Sequence, residues 1–367
     1  MLPLSDTLRV DKLTRIFDNM SESYKIFWFK ALVEKAHEGK QTISYDEIID
    51  RMIRDAWYMV TEYRLNLGPS DTLEKLVRYA QEISGIKSAE KPDRVGSFLE
   101  NCGDKELRRM KTTLTRFVPY RLQAPFLAGI NEHVWKNREA TIDFINGTDG
   151  AIYSVSRNSG LEATVEVSQG WMEYIERNYE IIMGWIEYNM IVYLQRRNPS
   201  VPGISSKLRP PEERRLAAAK KYWRHIIDVR PVVNIYTDVI MDDKDISIDH
   251  FVPWSYVAHD ELWNLLPTTR SVNSSKSNSL PLWDCYFDKL WKVEFEAYEL
   301  LNKDPETDRL FKKCEKENLN NDEIKYKLYQ PGLSREQFSG QLQEILLPVY
   351  ESARNMGFGE WVNNERI

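Results

Sequence analysis

Five polar residues in one short stretch have the types that phosphodiester hydrolysis can use: Asp249, His250, Asn264, Asn273 and Lys276. An unperturbed imidazole has a pKa of about 6.5, so His250 can take a proton from water near neutral pH. The oxygens of Asp249 and Asn273 are hard ligands that suit one Mg²⁺ or Mn²⁺, with water and phosphate completing the coordination. Asn264 can fix a loop and orient His250, and Lys276 can donate to a phosphate.

The local pattern predicts two strands and a helix around these residues. Alternating apolar residues that lead up to His250 predict a strand ending at the Asp-His pair. Residues 262–267 predict the return strand of the same hairpin, and the polar run after Thr268 predicts a short helix. Such a unit would bring Asp249, His250 and Asn273 together although they are distant in sequence.

Each residue also has an ordinary structural interpretation. Asp249 alone could be a solvated acid at a strand end, Asn264 could close a turn, and residues 271–279 could form a flexible loop. His259 beside Asp260 could be a second ligand or base, but its place in the predicted hairpin loop favours a structural or substrate-edge role. The joint occurrence of the Asp, His and two Asn positions in this order favours the chemical interpretation.

A wider set of residues makes the segment 235–281 similar to a known family. These residues are the Asp249-His250 pair, Pro253 three residues beyond the His, Trp263-Asn264-Leu265, and Asn273 followed by Lys276. They resemble the HNH, or ββα-metal, endonucleases, with a spacing similar to that in the HNH domain of RNA-guided CRISPR effectors. Asn273 stands where many members have His, so the segment resembles an HNN variant. The zinc-binding CxxC pairs of many members are absent from the sequence.

The resemblance implies a metal-dependent endonuclease that leaves 5′-phosphate and 3′-hydroxyl ends. It favours DNA as the substrate, with RNA open as an alternative, and bacterial restriction or anti-phage defence as the biology. An imidazole at position 273 would favour zinc or nickel, so Asn273 favours Mg²⁺. Two alternatives stay open: a non-catalytic nucleic-acid-binding or scaffold protein that keeps an HNH fold, and a nuclease subunit that is active only with a partner.

A basic stretch precedes this segment in a chain whose net charge is −6. Residues 196–230 carry ten Lys or Arg against three acids, and a second basic stretch lies between Lys105 and Arg121. Basic faces on acidic proteins can bind polyanions, because phosphate neutralisation releases counterions. We therefore expect nucleic-acid contacts from five residues: Arg214, Arg215, Lys220, Lys221 and Arg224. The alternative is a solvated helix face.

The composition excludes several classes of protein. Cys102, Cys285 and Cys314 never form a CxxC pair, which excludes a disulfide scaffold and argues against a cysteine-based zinc site. No apolar run approaches the roughly 20 residues of a membrane span, and no basic region followed by an apolar stretch opens the sequence. We therefore expect a cytoplasmic protein without a signal peptide. No GxxxxGK[ST] loop is present, so a nucleotide-driven motor would have to be another chain.

The pattern predicts a mainly α fold with a small embedded ββα-metal module. Residues 1–197 read as a helical N-terminal domain with a β-hairpin near 152–167, and Pro and Gly at 198–203 end it. Residues 210–290 would form the nuclease module with a basic lead-in helix, and 291–367 a helical C-terminal extension. We expect the N-terminal domain to recognise a target, a protein partner or a second copy of the chain.

Overall fold

The computed structural model describes residues 2–210 and 216–363 of the chain. Two compact units divide it: residues 1–199 with 207–210, and residues 200–206 with 211–367. Both units are mainly helical and their strands are short, as the sequence pattern predicts. Within the described ranges, no helix is long and apolar enough to cross a membrane.

The first unit is built from helices around a small sheet. Its described helices are α1 (Val10–Leu13), α2 (Tyr24–His37), α3 (Tyr45–Thr61), α4 (Thr72–Ser84), α5 (Pro92–Asn101), α6 (Lys105–Leu114), α7 (Val118–Arg121), α8 (Glu132–Lys136), α9 (Arg138–Asn146) and α10 (Gln169–Arg197). Its described strands are β1 (Thr42–Ser44), β2 (Tyr153–Val155) and β3 (Thr164–Val167). The three strands form an antiparallel sheet in the order β1-β3-β2, with β2 and β3 at the place of the predicted hairpin.

Local capping explains where two of these helices begin. Ser44 opens α3 in a capping box, because its side chain accepts from the Glu47 N–H while the Glu47 carboxylate accepts from the Ser44 N–H. Asp71 opens α4, where its carboxylate accepts from the Leu73 and Glu74 N–H groups. The same carboxylate accepts from the Ser23 N–H and hydroxyl, which ties the start of α4 to the start of α2.

The second unit carries the segment that the sequence singles out. Its described elements are α11 (Ala217–Val229), β4 (Ser247–His250), α12 (Trp254–Val257), β5 (Leu265–Thr268), α13 (Arg270–Lys276), β6 (Leu280–Pro281), α14 (Trp283–Leu301), α15 (Pro305–Asn318), α16 (Asp322–Tyr329), α17 (Arg335–Asn355) and β7 (Glu360–Trp361). The lead-in helix α11 begins at Ala217, and the adjacent residues 211–215 lie outside the described part of the chain.

One hydrophobic core runs through this unit from α11 to the C-terminal helices. Trp223 of α11 is buried and donates from Nε1 to the Leu265 carbonyl (3.1 Å), so α11 packs directly on the β4–β5 hairpin. Strand β6 pairs in parallel with β7, with Leu280 opposite Glu360. The structure therefore does not separate residues 291–363 as an extension of their own, because helices α14–α17 contribute to the core on which the hairpin rests.

Candidate active site

The hairpin and helix predicted around the Asp-His pair are present as β4, β5 and α13. Strands β4 and β5 pair antiparallel with Asp249 opposite Leu266 and His250 opposite Leu265. The first part of the predicted return strand is instead a 3₁₀ turn at Leu262–Asn264, and the strand starts at Leu265. The Thr269 side chain caps α13, which packs on β4. The site is thus carried by a strand, a strand and a helix in that order.

Asp249 is almost fully buried, and each of its carboxylate oxygens has a donor. The Tyr236 hydroxyl donates to Oδ2 (2.6 Å) and the Lys276 ammonium donates to Oδ1 (3.1 Å). Asn234 holds the loop of Tyr236, since its side chain accepts from the Tyr236 N–H and donates to Thr268 of β5. Burial, and then the charge of Asp249, raise the pKa of Tyr236 well above its usual value, so the phenol stays a donor to this carboxylate.

Lys276 has no exposed surface, and it ties α13 to β4. Besides the Asp249 carboxylate, its ammonium donates to the His250 carbonyl (2.7 Å). Burial lowers the pKa of Lys276, while the charge of Asp249 acts in the opposite direction. This placement differs from the phosphate contact expected for Lys276. One turn beyond Asn273, it lies on the same face of α13, and that face is covered by β4.

Asn273 faces the same strand one turn earlier in α13. Its Nδ2 donates to the Ser247 hydroxyl (2.8 Å) and to the Ile248 carbonyl (3.1 Å). Because both donor bonds use the amide nitrogen, they leave Oδ1, at the other edge of the planar amide, without a role in holding α13 on β4. Asn273 is half-buried, which leaves it more accessible than Asp249. The fold therefore brings Asn273 onto the two residues that precede Asp249.

His250 follows Asp249 and is the last residue of β4. Its Nε2 lies 2.9 Å from Oδ1 of Asp260, and the two side chains are 6% and 11% exposed. An ionised carboxylate can only accept, so Nε2 carries the proton of this bond and the basic lone pair of the neutral ring lies on Nδ1. The pair has the arrangement of an imidazole oriented by an acid.

Asp260 itself is fixed by a distant helix. Its carbonyl accepts from Nδ2 of Asn318, at the end of α15 (2.7 Å), and Glu261 accepts from the backbone and side chain of Asn320. In the sequence, Asp260 stands out only as a neighbour of His259, and Tyr236 does not stand out at all. Both are single residues outside the hairpin strands, so no periodicity points to them. His259 packs against the ring of Trp263 (5.8 Å between centroids).

Asn264 is fully buried and closes the backbone loop that follows His250. Its Oδ1 accepts from the Val252 N–H (2.8 Å) and its Nδ2 donates to the Val252 carbonyl (2.9 Å). Both bonds are made two residues beyond His250. The side chain of Asn264 thus bonds to the backbone of Val252 and makes no contact with the His250 ring in these two bonds.

The donors suited to a metal ion in this site are few. Among the described residues, no cluster of three or more His, Cys, Asp or Glu could hold a metal. Asp249 and Asn273 could supply two oxygens, and each Asp249 oxygen has a second acceptor position beside its present donor. Mg²⁺ is held by few protein ligands and keeps several waters, so this sparse oxygen set fits a magnesium-like ion better than zinc.

The basic lead-in helix carries three of the five predicted nucleic-acid contacts. On α11, Lys221 and Arg224 are exposed, Lys220 is half-buried, and the opposite face packs into the core. Arg214 and Arg215 lie outside the described residues. Lys221 and Arg224 are three residues apart, so one exposed face of the helix presents both.

Comparison with known proteins identifies the segment. Residues 234–282 match the family model described as HNH endonuclease. No curated protein and no solved structure matches the chain significantly. The matched residues span the Tyr236 loop, the β4–β5 hairpin, α13 and β6, which are the elements that assemble the site around Asp249 and His250.

Proposed function

We propose that the HNH endonuclease domain at residues 234–282 hydrolyses phosphodiester bonds in DNA, with His250 as general base and a divalent cation held by Asp249 and Asn273. The observation that carries this proposal is the joint placement of the three residues on one short strand and the helix packed on it. Asp249 and His250 end β4, and Asn273 donates to Ser247 and Ile248 of the same strand.

In the proposed step, His250 takes a proton from water while the water oxygen forms a bond to phosphorus. The bond from phosphorus to the 3′ oxygen breaks, and that oxygen takes a proton from solvent. The products are 5′-phosphate and 3′-hydroxyl ends, as the family resemblance implies. The hydrogen bond from Nε2 to Asp260 would orient the ring and stabilise the imidazolium that forms.

The cation would be Mg²⁺ or Mn²⁺, held by a carboxylate oxygen of Asp249 and by Oδ1 of Asn273. When bound, such an ion stabilises negative charge that develops on the phosphate oxygens. Tyr236 and Lys276 hold the Asp249 carboxylate in position, and the Lys276 ammonium compensates its buried charge. Lys276 is thus a positioning residue in this proposal.

Affinity for the nucleic acid would come in part from α11. Lys221 and Arg224 are exposed on a helix that packs against the catalytic hairpin, so a bound backbone could contact both. Contacts to phosphate carry no base information, so these residues would hold any sequence equally. One HNH site cuts one strand, and double-strand cleavage would need a dimer or two successive nicks.

A nuclease that is silent until a partner acts is the second candidate. The burial of the chemical groups favours it, because the side chains of Asp249 and His250 are only 4% and 6% exposed. A partner or a second copy bound through the N-terminal unit would then open the site. Restriction or anti-phage defence is the setting we propose, since the chain combines a nuclease domain with a second compact unit.

Cleavage of supercoiled plasmid with Mg²⁺, with and without EDTA, tests the proposal. Single-stranded DNA and RNA are assayed in parallel to identify the substrate. We expect nicking by the wild-type chain, none with EDTA and none by His250→Ala, while His133→Ala, a change at an exposed histidine of α8, cuts normally. Cleavage that persists in EDTA and in His250→Ala would contradict the assignment of both the base and the metal.

A further inference from the structure

A cavity of about 310 Å³ lies in the first unit, away from the residues of the proposed nuclease chemistry. Its walls come from the start of α3, the end of α6, and helices α7, α8 and α9. This volume is at the lower end of the range for small-molecule sites, about 300–1,000 Å³.

The charge of the cavity has one sign. Four of its described lining residues are cationic and none is Asp or Glu: Arg116, Arg121, Lys136 and Arg138. Arg138 is held in the cavity wall by its own hydrogen bonds. Its Nε donates to the Tyr120 hydroxyl (3.0 Å), and its other nitrogens donate to the Arg157 and Asn158 carbonyls. Lys136 pairs with Glu132. In the described part of the chain, the exposed Arg116 and Arg121 have no carboxylate within ion-pair distance, so both are available for phosphate.

Aromatic rings stand beside these arginines. The Arg121 guanidinium lies 5.0 Å from the centroid of the half-buried Trp135 ring, and Phe117 is 66% exposed although it is a large apolar residue. Every nucleic-acid base has a π-face that can stack on such rings, and arginine adds a cation–π contribution. Aromatic rings interleaved with unpaired arginines are the combination that binds an unstacked base and its phosphate.

One buried polar atom of the cavity lacks a partner. Tyr45 is 1% exposed and lines the cavity, and its hydroxyl makes no hydrogen bond among the described residues. Burial, and then the neighbouring Tyr120, raise the pKa of Tyr45 above its usual value. A buried hydroxyl without a partner is unfavourable, so a donor or acceptor on a ligand edge would satisfy it.

A second cavity, of about 610 Å³, shares the Phe117, Arg121 and Trp135 wall. It adds Lys12, Arg15 and Lys25 to the cations, with Asp18 and Glu22 as its acids; Asp18 pairs with Arg15. Burial, and then the charge of Arg121, lower the pKa of Lys25. The four cations of this lining outnumber its two acids, so a second phosphate fits on the far side of the Arg121–Trp135 wall.

We propose that these two cavities bind a nucleotide, with its base against Trp135 and Phe117 and its phosphate at Arg116 and Arg121. Because the two cavities adjoin and share one wall, they could hold two successive nucleotides of a single strand. A free nucleotide carries the same base and phosphate groups and could bind to the same residues. This proposal does not depend on the nuclease activity, because none of the residues involved belongs to the HNH domain.

Fluorescence anisotropy in EDTA tests the site with a labelled oligo(dT) single strand, with dTMP as a competitor for the free-nucleotide source. Neutralising Arg116 and Arg121 together as Gln should weaken binding and reduce the slope of log K against log salt by about 1.4 for a single strand. Trp135→Ala should weaken binding about tenfold or more with little change in that slope. The matched control is Arg108→Gln with Arg109→Gln, two exposed arginines of α6 that pair with Glu162 and Glu106.

Each outcome either tests the proposed site or identifies its ligand as a strand or a free nucleotide. Loss of strand binding in the cavity variants and not in the control supports it, and dTMP competition at similar concentration would identify a free nucleotide as the ligand. Binding by the cavity variants that equals the control, or no binding of either probe by the wild-type chain, would overturn it. Because Arg116 and Arg121 are exposed, the double variant decides the question even where Trp135→Ala fails to fold.

Discussion

Lys276 and Asp249 form a buried ion pair, with 3.1 Å between Nζ and Oδ1, that joins helix α13 to strand β4. The two side chains are 0% and 4% exposed. The same ammonium reaches the His250 carbonyl, so one cation organises both residues of the Asp-His pair. Removing one partner of a buried pair leaves an uncompensated charge, which is more damaging than the pair itself is stabilising.

We therefore expect Lys276→Met to reduce the free energy of unfolding by about 3–5 kcal/mol. Urea denaturation followed by circular dichroism measures this. Arg270→Gln on the same helix is the control, because its side chain is 77% exposed and should change stability by at most about 0.5 kcal/mol. A Lys276→Met variant as stable as Arg270→Gln would mean that the pair does not hold α13 on the strand.

His250→Ala should reduce cleavage by about 10²–10⁴-fold, because it removes the general base and no metal ligand. Binding of DNA and of Mg²⁺ should stay near wild type, as measured by anisotropy and calorimetry. Activity within a few-fold of wild type would contradict the role of His250.

Asp249→Ala and Asn273→Ala should weaken both Mg²⁺ binding and cleavage, since each removes a proposed oxygen ligand. Isothermal titration with Mg²⁺ measures the first effect, and thermal melting shows whether each variant is folded. Asp284→Asn, a change at an exposed acid of α14, serves as control. Unchanged titrations in both ligand variants would place the ion elsewhere.

Asp260→Asn separates two effects of Asp260 on His250: the negative charge that it supplies and the ring orientation that it fixes. The Asn oxygen can still accept from Nε2 of His250, so the ring keeps its direction while the imidazolium loses a carboxylate partner. We expect kcat to fall about tenfold to a hundredfold with little change in KM, and a larger fall in Asp260→Ala. If KM changes while kcat does not, Asp260 shapes the substrate site and does not act through His250.

Neutralising Lys221 and Arg224 together as Gln should weaken duplex DNA binding for any sequence. The slope of log K against log salt should fall by about 1–2, while the rate at saturating DNA changes little. Arg309→Gln with Lys312→Gln removes two exposed charges of α15 and is the control. A wild-type salt slope in the Lys221 and Arg224 variant would make this face of α11 merely solvated.

Local patterns in the sequence are sufficient to predict the order of the strands and the helix in the nuclease segment. Alternation up to His250 predicts β4, the polar run after Thr268 predicts α13, and both elements are present. The sequence predicts the return strand from Leu262, three residues before it begins, because the apolar residues of the 3₁₀ turn Leu262–Asn264 resemble strand residues. Buried residues have the same apolar character in either conformation, so periodicity over so few residues does not separate them.

The partners of the chemical groups were decided only by the tertiary structure. Asp260 meets His250 because Asn318, far along the chain, holds its loop, and Tyr236 reaches Asp249 through a loop held by Asn234. The sequence by itself determined which side chains could do chemistry and on which short elements they lie, since hydrogen bonding and side-chain alternation are local. Burial depends on the packing of the whole core. For this reason Lys276, which the sequence suggests as a phosphate contact, is in the structure the buried counter-ion of Asp249.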